Sequence, residues 1–323
     1  MPLSFDIGAF NPDRISEQTQ EFNRTTVEML EGLGSPWRLT PSQLRAARTE
    51  GKGPFPIGPP EKTATVISVD AGDHSIPVRV FKPKAGSPKG SYLHIHGGGW
   101  TLGSADGQDA RMQEIADRCQ LACLSVEYRL APESPYPAGP NDCETVARWL
   151  VKDQEQFPKE FLAIGGESAG ANLSVVTLLR LRERNLVSRF HAAILIAGVY
   201  DLGLSASARN WGTERLILNT PDLEMFIAHY LQDCGNVRSP DVSPLFADLH
   251  DLPPALFSIG THDMLLDDTI QMAARWKIAN NNAELEIAPG GCHDFQRFRE
   301  LDIAQQSNER IDTFLNERRK DSS

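Results

Sequence analysis

The feature that most constrains the fold is an alternation of short apolar runs and helical patterns from about residue 107 onward. The apolar runs lie at 121–126, 161–164, 192–199, 255–259 and 285–287, and the helical patterns lie near 107–119, 142–153, 169–184, 267–280 and 301–317. Strands that alternate with helices pair in parallel, and the helices cover both faces of the sheet. The sequence therefore predicts an α/β fold with a mostly parallel central sheet.

Three closely spaced β-type runs precede this alternation. They lie at 65–69, 78–81 and 92–95, and glycine and proline rather than helical patterns separate them. Such short connections join antiparallel strands, so we expect an antiparallel edge to the sheet.

Two segments lie outside the alternation, and we predict that they form a helical cap. The first carries an amphipathic pattern over 15–33 and a shorter helix capped by Thr40, and the clearest helix of the second is 222–231. The predicted division is 1–60 for the N-terminal cap segment, 61–200 for the first part of the core, 201–252 for the cap insertion and 253–323 for the second part of the core.

Charge and cysteine usage exclude several classes of protein. The 323 residues include 32 Lys and Arg against 43 Asp and Glu, a formal net charge of −11, so nucleic acid is not an expected partner. No apolar run approaches the roughly 20 residues that span a membrane, so no membrane span is predicted. No secretory signal is visible either. The odd number of cysteines, without a CxxC pair, indicates reduced thiols and a cytoplasmic location. These cysteines are Cys119, Cys123, Cys143, Cys234 and Cys292.

The strongest chemical motif follows the predicted strand 161–164. Residues 166–170 read Gly-Glu-Ser-Ala-Gly and open a helix, which fits G-x-S-x-G in a strand–turn–helix context. In that context Ser168 is predicted to be a nucleophile on a strained turn, with the helix N-terminus behind it. The alternative is a chance match in a glycine-rich turn, since the pattern alone is common.

A second motif, His96 followed by Gly97, Gly98 and Gly99, comes directly after the strand 92–95. Consecutive glycines expose backbone N–H groups that can converge on an oxyanion. A flexible loop and a phosphate cradle are the alternatives, and the second is disfavoured because no Gly-Lys-Ser/Thr follows. We expect no metal here, since His94 and His96 have no evident third ligand.

Two further strand ends carry an acid and an imidazole. Asp263 follows the strand 255–259, where a carboxylate can orient a histidine, although acidic residues are also common at helix N-termini. His293 lies in a glycine-rich loop after the strand 285–287, where it is well placed as a general base. The order Ser168, Asp263, His293, with a glycine loop upstream, is that of α/β-hydrolases.

These motifs resemble the hormone-sensitive-lipase-like family of bacterial carboxylesterases. The resemblance covers about residues 60–318 and is carried by 96–100 (HGGGW), 128–133 (YRLAPE), 136–138 (YPA) before Asp142, 166–170 (GESAG), 263–267 (DMLLD) and His293. It implies an α/β-hydrolase fold with a helical cap, and a serine carboxylesterase that acts on short- to medium-chain acyl esters without a cofactor.

The resemblance also implies roles for individual residues. The oxyanion donors would be the N–H groups of Gly98, Gly99 and Ala169, with His96 shaping their loop. Departures from the family pattern, which are Glu167 in place of the usual Asp, 199–201 (VYD) and Ser104, put the substrate pocket in doubt. The predicted substrate contacts are Trp100, Leu102, Tyr200 and Trp211.

Other functions stay open at this point. The same triad could act on an amide, a formamide or a lactone, because all of these pass through tetrahedral intermediates. A non-catalytic ligand-binding member of the fold is a further alternative, which retention of all three triad residues disfavours. A homodimer is a candidate assembly because edge strands need covering.

Overall fold

The computed structural model describes residues 3–56, 58–152, 156–232 and 235–322. Within them one sheet has the strand order β1-β2-β4-β3-β5-β6-β7-β8, with β2 antiparallel to both of its neighbours and the other pairs parallel. The strands are β1 Thr65–Asp70, β2 Ser75–Phe81, β3 Ser91–Ile95, β4 Ala122–Val126, β5 Leu162–Glu167, β6 Ala192–Ile196, β7 Ala255–Gly260 and β8 Ala283–Ala288. The predicted parallel sheet with an antiparallel edge is confirmed.

Helices connect the parallel strands and cover the sheet, as the alternation predicts. The described residues form the helices α1 Glu17–Leu33, α2 Pro41–Thr49, α3 Asp109–Cys119, α4 Ala138–Lys152, α5 Ala169–Arg182, α6 Ala206–Asn210, α7 Thr220–Leu231, α8 Leu266–Ile278 and α9 Asp302–Asp321. Of these, α1, α2, α6 and α7 belong to the two segments outside the alternation. In the described part of the chain, no helix is long and apolar enough to cross a membrane.

The centre of the sheet is the core of the molecule. Strands β3, β4 and β5 are buried along their whole length, since helices cover both of their faces. This explains why their sequences are nearly continuous apolar runs rather than alternating ones. The described cysteines, Cys119, Cys123, Cys143 and Cys292, are buried free thiols, and Cys234 lies outside the described residues.

One strand is shorter than its apolar run predicts. The run 192–199 yields a strand that ends at Ile196, because Ala197 takes a left-handed conformation with a φ of 45°. The N–H of Ala197 still donates to the carbonyl of Ser258 on β7. The remaining apolar residues of the run are buried beyond the sheet edge, so burial and not strand geometry explains their composition.

The two segments predicted as a cap contain helices. In the N-terminal segment, Thr40 caps α2 with a capping box closed by Gln43, and Ser16 caps α1. The insertion contains the short helix α6 and the longer α7, whose first turn carries Asp222. That the two segments act together as a cap stays a prediction.

Candidate active site

Ser168 lies at the sharp turn between β5 and α5. Its φ is 56°, a region that non-glycine residues rarely adopt. The flanking glycines allow this turn to pack against β3, since a Cβ on Gly166 or Gly170 would overlap the carbonyl oxygen of Ile95. The close packing of β5 and α5 on β3 therefore holds Ser168 in a strained conformation at the carboxyl end of the sheet.

Two hydrogen bonds connect Ser168 through His293 to a buried carboxylate. His293 Nε2 lies 3.0 Å from Ser168 Oγ, and His293 Nδ1 lies 2.9 Å from Asp263 Oδ2. His293 follows β8 and Asp263 follows β7, so the carboxyl ends of neighbouring strands bring the three predicted side chains together. All three residues are at most 7% exposed.

The charge of Asp263 sets the electrostatics of the imidazole. Burial lowers the pKa of His293, but the negative charge of Asp263 and its hydrogen bond to Nδ1 outweigh burial, so that pKa is raised above 6.5. Because the carboxylate accepts from Nδ1–H, the neutral ring presents Nε2 as an acceptor to the Ser168 hydroxyl. The arrangement can take a proton from that hydroxyl.

A loop of glycines lies against the serine. A Cβ on Gly97 would be 3.4 Å from the Cβ of Ser168, and the next two glycines have φ values of 112° and 59°, which favour glycine. Among the described residues, the backbone N–H groups of Gly98, Gly99 and Ala169 have no hydrogen-bond acceptor. Unengaged N–H groups beside a nucleophile are the donors that an oxyanion requires.

Glu167 fixes this loop from behind. Its Oε1 accepts from the N–H of Gly97 at 2.8 Å, its Oε2 lies 2.9 Å from His94 Nε2, and His94 Nδ1 lies 2.9 Å from Ser125 Oγ. Burial raises the pKa of Glu167, but the two histidines and the Gly97 N–H outweigh burial and lower it to about 2. The carboxylate is therefore ionised.

The sequence places Glu167 among the departures from the family pattern that could reshape the substrate pocket, and that role stays a prediction. Glu167 ties the strand that carries Ser168 to the loop that carries the unengaged N–H groups. The sequence alone does not indicate its pairing with His94.

His96 supports the same loop without a charge. Its ring stacks on Tyr128 at 4.3 Å between centroids, and its Nδ1 lies 2.8 Å from the carbonyl oxygen of Gly97. Burial lowers the pKa of His96 to about 4, so the ring is neutral at physiological pH. The hydroxyl of Tyr128 donates to the carbonyl of His96 at 2.9 Å, which joins the 128–133 stretch to the loop.

The two segments outside the core meet next to the loop. Trp37 donates from Nε1 to Asp222 at 2.8 Å, and the same carboxylate pairs with Arg215, which donates to the carbonyl of Gly34. The Trp37 ring also contacts the ring of Phe226 edge-on at 5.0 Å. These contacts connect residues that are about 190 positions apart, and no local sequence signal indicated them.

Phe226 packs against the glycine loop at Gly99. A Cβ on Gly99 would overlap the Phe226 ring, so helix α7 rests directly on the glycine loop. From the other side, Asn23 of α1 donates to the carbonyl of Gly290 at 2.8 Å, in the loop that carries His293. Both segments therefore contact loops that hold the candidate site.

The four predicted substrate contacts have packing partners of their own. Trp100 is buried and stacks on Tyr230 at 4.5 Å, and Tyr200 is fully buried. Trp211 is half-buried and donates to the carbonyl of Glu214, and Leu102 is half-buried beside the glycine loop. Their contact with a substrate stays a prediction.

Over the described ranges, no three His, Cys, Asp or Glu side chains are grouped so that they could hold a metal ion. His94, one of the two histidines considered for that role, has both ring nitrogens engaged by Glu167 and Ser125.

Residues 92–297 match the model of a family described by its alpha/beta hydrolase fold. An esterase from Acinetobacter venetianus is 34% identical over 207 residues, which are 64% of this chain and 67% of that protein. A carboxylesterase, NlhH, from Mycobacterium tuberculosis is 32% identical over 233 residues, 69% of this chain and 72% of that protein. An arylesterase from Saccharolobus solfataricus is 31% identical and is matched over 66% of its length.

Solved structures give the same picture over nearly the whole chain. The hyperthermophilic esterase from the archaeon Pyrobaculum calidifontis superposes with a TM-score of 0.81 at 25% identity, covering 98% of this chain and 99% of that chain. The likeness therefore includes the two segments outside the sheet as well as the sheet itself.

Proposed function

Since this chain belongs to the α/β-hydrolase family and to its hormone-sensitive-lipase-like carboxylesterases, we propose that it is a serine carboxylesterase that acts through an acyl-enzyme. One observation carries the proposal: the hydrogen-bonded series Asp263, His293, Ser168 ends beside a loop of unengaged backbone N–H groups. Base, nucleophile and oxyanion donors are the parts that acyl transfer requires.

In the first step, Ser168 Oγ attacks the ester carbonyl while His293 Nε2 takes the hydroxyl proton. The N–H groups of Gly98, Gly99 and Ala169 donate to the oxyanion of the tetrahedral intermediate, and the N-terminus of α5 adds its dipole. The ionised Asp263 stabilises the imidazolium that forms. The proton on His293 then passes to the leaving alcohol as the C–O bond breaks.

In the second step, water attacks the acyl group on Ser168. His293 takes a proton from the water, the same three N–H groups hold the second oxyanion, and collapse of the intermediate returns the proton to Ser168. The products are a carboxylic acid and the free enzyme. No step needs a cofactor.

Short- to medium-chain acyl esters are the proposed substrates. The site is buried beneath two segments that contact each other, and the Phe226 ring lies against Gly99, which limits the room beside the oxyanion donors. The reacting group of an ester is uncharged, so binding it does not require the net charge of −11. We assign that net charge to solubility.

A series of p-nitrophenyl esters from acetate to laurate tests the substrate class. We expect kcat/KM to peak at short or medium chains. A methylene inside the pocket gains the usual hydrophobic increment of about 0.8 kcal/mol of binding free energy, whereas a methylene beyond the pocket weakens binding. Matched lactone and formamide substrates belong in the same assay, and a higher kcat/KM on either would replace the ester assignment. Failure of a fluorophosphonate to label the protein would contradict nucleophilic catalysis altogether.

Glu167 is proposed as a positioning residue for the oxyanion loop. In Glu167→Ala the N–H of Gly97 and the imidazole of His94 lose their partner, so we expect kcat to fall by about 10- to 100-fold, as for the weakening of one oxyanion donor. KM should change less, because the loop acts on the transition state. Kinetics on p-nitrophenyl butyrate separate the two parameters.

Glu127→Ala is the matched control for this substitution. Glu127 is a half-buried glutamate that, like Glu167, accepts a hydrogen bond from a backbone N–H. Its donor is Ala105, at 2.7 Å, and not a residue of the glycine loop. Both variants should lower the melting temperature, and only Glu167→Ala should lower kcat strongly. Equal effects on kcat in the two variants would reduce Glu167 to a structural role.

A further inference from the structure

A groove of about 510 Å³ lies on the far side of the turn that follows His293. Its walls come from the proline-rich linker around Phe55, from the first turn of α3, and from residues 296–299. The volume is within the range of small-molecule sites, roughly 300–1,000 Å³. The three triad residues do not line the groove, so it is a second concavity beside the candidate active site.

The groove contains a cation that forms no salt bridge. The guanidinium of Arg297 lies over the rings of Phe55 and Phe298, at 5.8 and 5.7 Å from their centroids. Among the described residues, no carboxylate lies within 4.0 Å of this guanidinium and no acceptor hydrogen-bonds to it. Its five N–H donors therefore have no hydrogen-bond acceptor in the described part of the chain.

Three other charged side chains of the groove are already paired. Arg111 donates to Asp312 at 2.7 Å, Arg299 pairs with Glu114, and Asp109 pairs with Arg79. These pairs leave Arg297 as the lining cation without a salt bridge among the described residues. A ligand in this groove is thus offered one guanidinium that no ion pair engages, in a lining that also holds the carboxylate of Asp106.

A second arginine adds positive charge nearby. Nη2 of Arg48 lies 3.9 Å from the position that a Cβ on Gly107 would take, and Gly107 lines the groove. Nε of Arg48 is buried without a partner. Burial and then the charge of Arg297 lower the pKa of Arg48 to about 10, against the opposing effect of Asp294 and Asp106, so the two cations repel each other.

We propose that this groove binds a small organic carboxylate, with Arg297 pairing with the carboxylate and Phe55 and Phe298 contacting the apolar body of the ligand. A planar carboxylate matches the fork of a guanidinium. One unpaired cation fits a monoanion, and the acidic side chains that also line the groove, Glu61, Asp106 and Asp109, disfavour a doubly charged phosphate.

This site goes beyond ester hydrolysis, since it is a binding site apart from the triad. Its ligand class is nevertheless the class of acid that the proposed reaction releases. The carboxylate could reach the groove as that free acid or as part of a substrate that carries a second, unesterified carboxylate. The chemistry of recognition is the same in both cases, and the assay separates them.

Calorimetric titration of hexanoate into the full-length Ser168→Ala variant tests the proposal without turnover. We expect measurable binding, and in the additional variant Arg297→Met a weakening of roughly 10- to 100-fold, as for the loss of a charge-assisted pair. Arg299→Met is the matched control, because Arg299 lines the same groove but is paired with Glu114, and its effect should stay within about twofold. Hexanamide, which is the neutral counterpart, should not bind measurably.

Several outcomes would overturn the proposal. Unchanged hexanoate affinity in Arg297→Met would place the acid elsewhere, for example on the proposed oxyanion donors. Equal binding of hexanamide and hexanoate to the parent variant would remove the role of charge, whatever the stability of Arg297→Met. Tighter binding of inorganic phosphate than of hexanoate would replace the ligand class.

The source of the carboxylate is decided by kinetics on the wild-type chain. If the acid arrives free, added hexanoate inhibits hydrolysis of a neutral ester, and Arg297→Met removes the inhibition. If it arrives on the substrate, p-nitrophenyl hemiglutarate is preferred over p-nitrophenyl butyrate, and Arg297→Met abolishes that preference. Absence of all hydrolysis would contradict the proposed function and leave the calorimetric result standing.

Discussion

Replacing Ser168 with alanine is expected to lower kcat for p-nitrophenyl ester hydrolysis by about 10⁶-fold. The methyl group cannot attack the carbonyl, and no acyl-enzyme forms. The oxyanion donors and the imidazole remain, so a residual rate of about 10³- to 10⁴-fold over water is expected, with water attacking the bound ester directly. Labelling by a fluorophosphonate should be lost completely.

Ser174→Ala provides the control for this substitution. Ser174 is a buried serine on the same helix, α5, and its hydroxyl donates to the carbonyl of Gly170 at 2.8 Å. Its removal deletes one side-chain hydrogen bond near the site without touching His293. We expect a kcat within a few-fold of the wild type, and a Ser168→Ala variant as active as this control would exclude Ser168 as the nucleophile.

The fold and the three hydrogen-bonded residues were predictable because they follow from strand ends. Ser168, Asp263 and His293 each lie within five residues of the end of a strand, and parallel strands place their carboxyl ends at one edge of the sheet. Their convergence therefore needs only the strand assignment and the parallel pairing. No knowledge of loop conformation is required.

The pairing of Glu167 with His94 depends on information of another kind. It requires β3 and β5 to be neighbours, with His94 level with Gly165 in the parallel register. Strand order crosses over in this sheet, because β4 lies between β2 and β3. A sequence shows where strands occur but not which strands are neighbours. A hydrogen bond between side chains of two strands therefore could not be predicted from it.

The contacts made by the two segments outside the sheet were equally hidden. Trp37 and Asp222 meet only after both segments have folded over the core, and neither position carries a periodic pattern that predicts the other. Trp100 and Tyr200 show a related limit. An aromatic residue near a reactive motif is predicted to contact substrate, and the structure buries Trp100 against Tyr230 and buries Tyr200, so a substrate contact of either ring stays a prediction.

Asparagine at position 263 is expected to reduce kcat by about 10⁴-fold while leaving the shape of the site unchanged. The neutral amide cannot stabilise the imidazolium. If the amide nitrogen faces His293 Nδ1, that ring nitrogen must accept, so Nε2 carries the proton and cannot take one from Ser168. The serine would then be present but without a base.

The same substitution is expected to change the pH dependence. In the wild type, the charge of Asp263 raises the pKa of His293 above 6.5, and only the neutral ring can accept a proton. Activity should therefore fall as the pH drops through this raised pKa. In Asp263→Asn the raising charge is gone while burial still lowers the pKa, so the acid limb of kcat/KM should move to lower pH.

Asp267→Asn separates this effect from a general loss of an acidic residue. Asp267 lies four residues further on, accepts from the N–H of Ser207 at 2.8 Å, and does not contact His293. Its replacement should leave the acid limb in place and kcat within a few-fold of the wild type. A kcat/KM profile that is flat between pH 5 and 8 in the wild type, or an acid limb that does not move in Asp263→Asn, would mean that His293 is not the base or that Asp263 does not set its pKa.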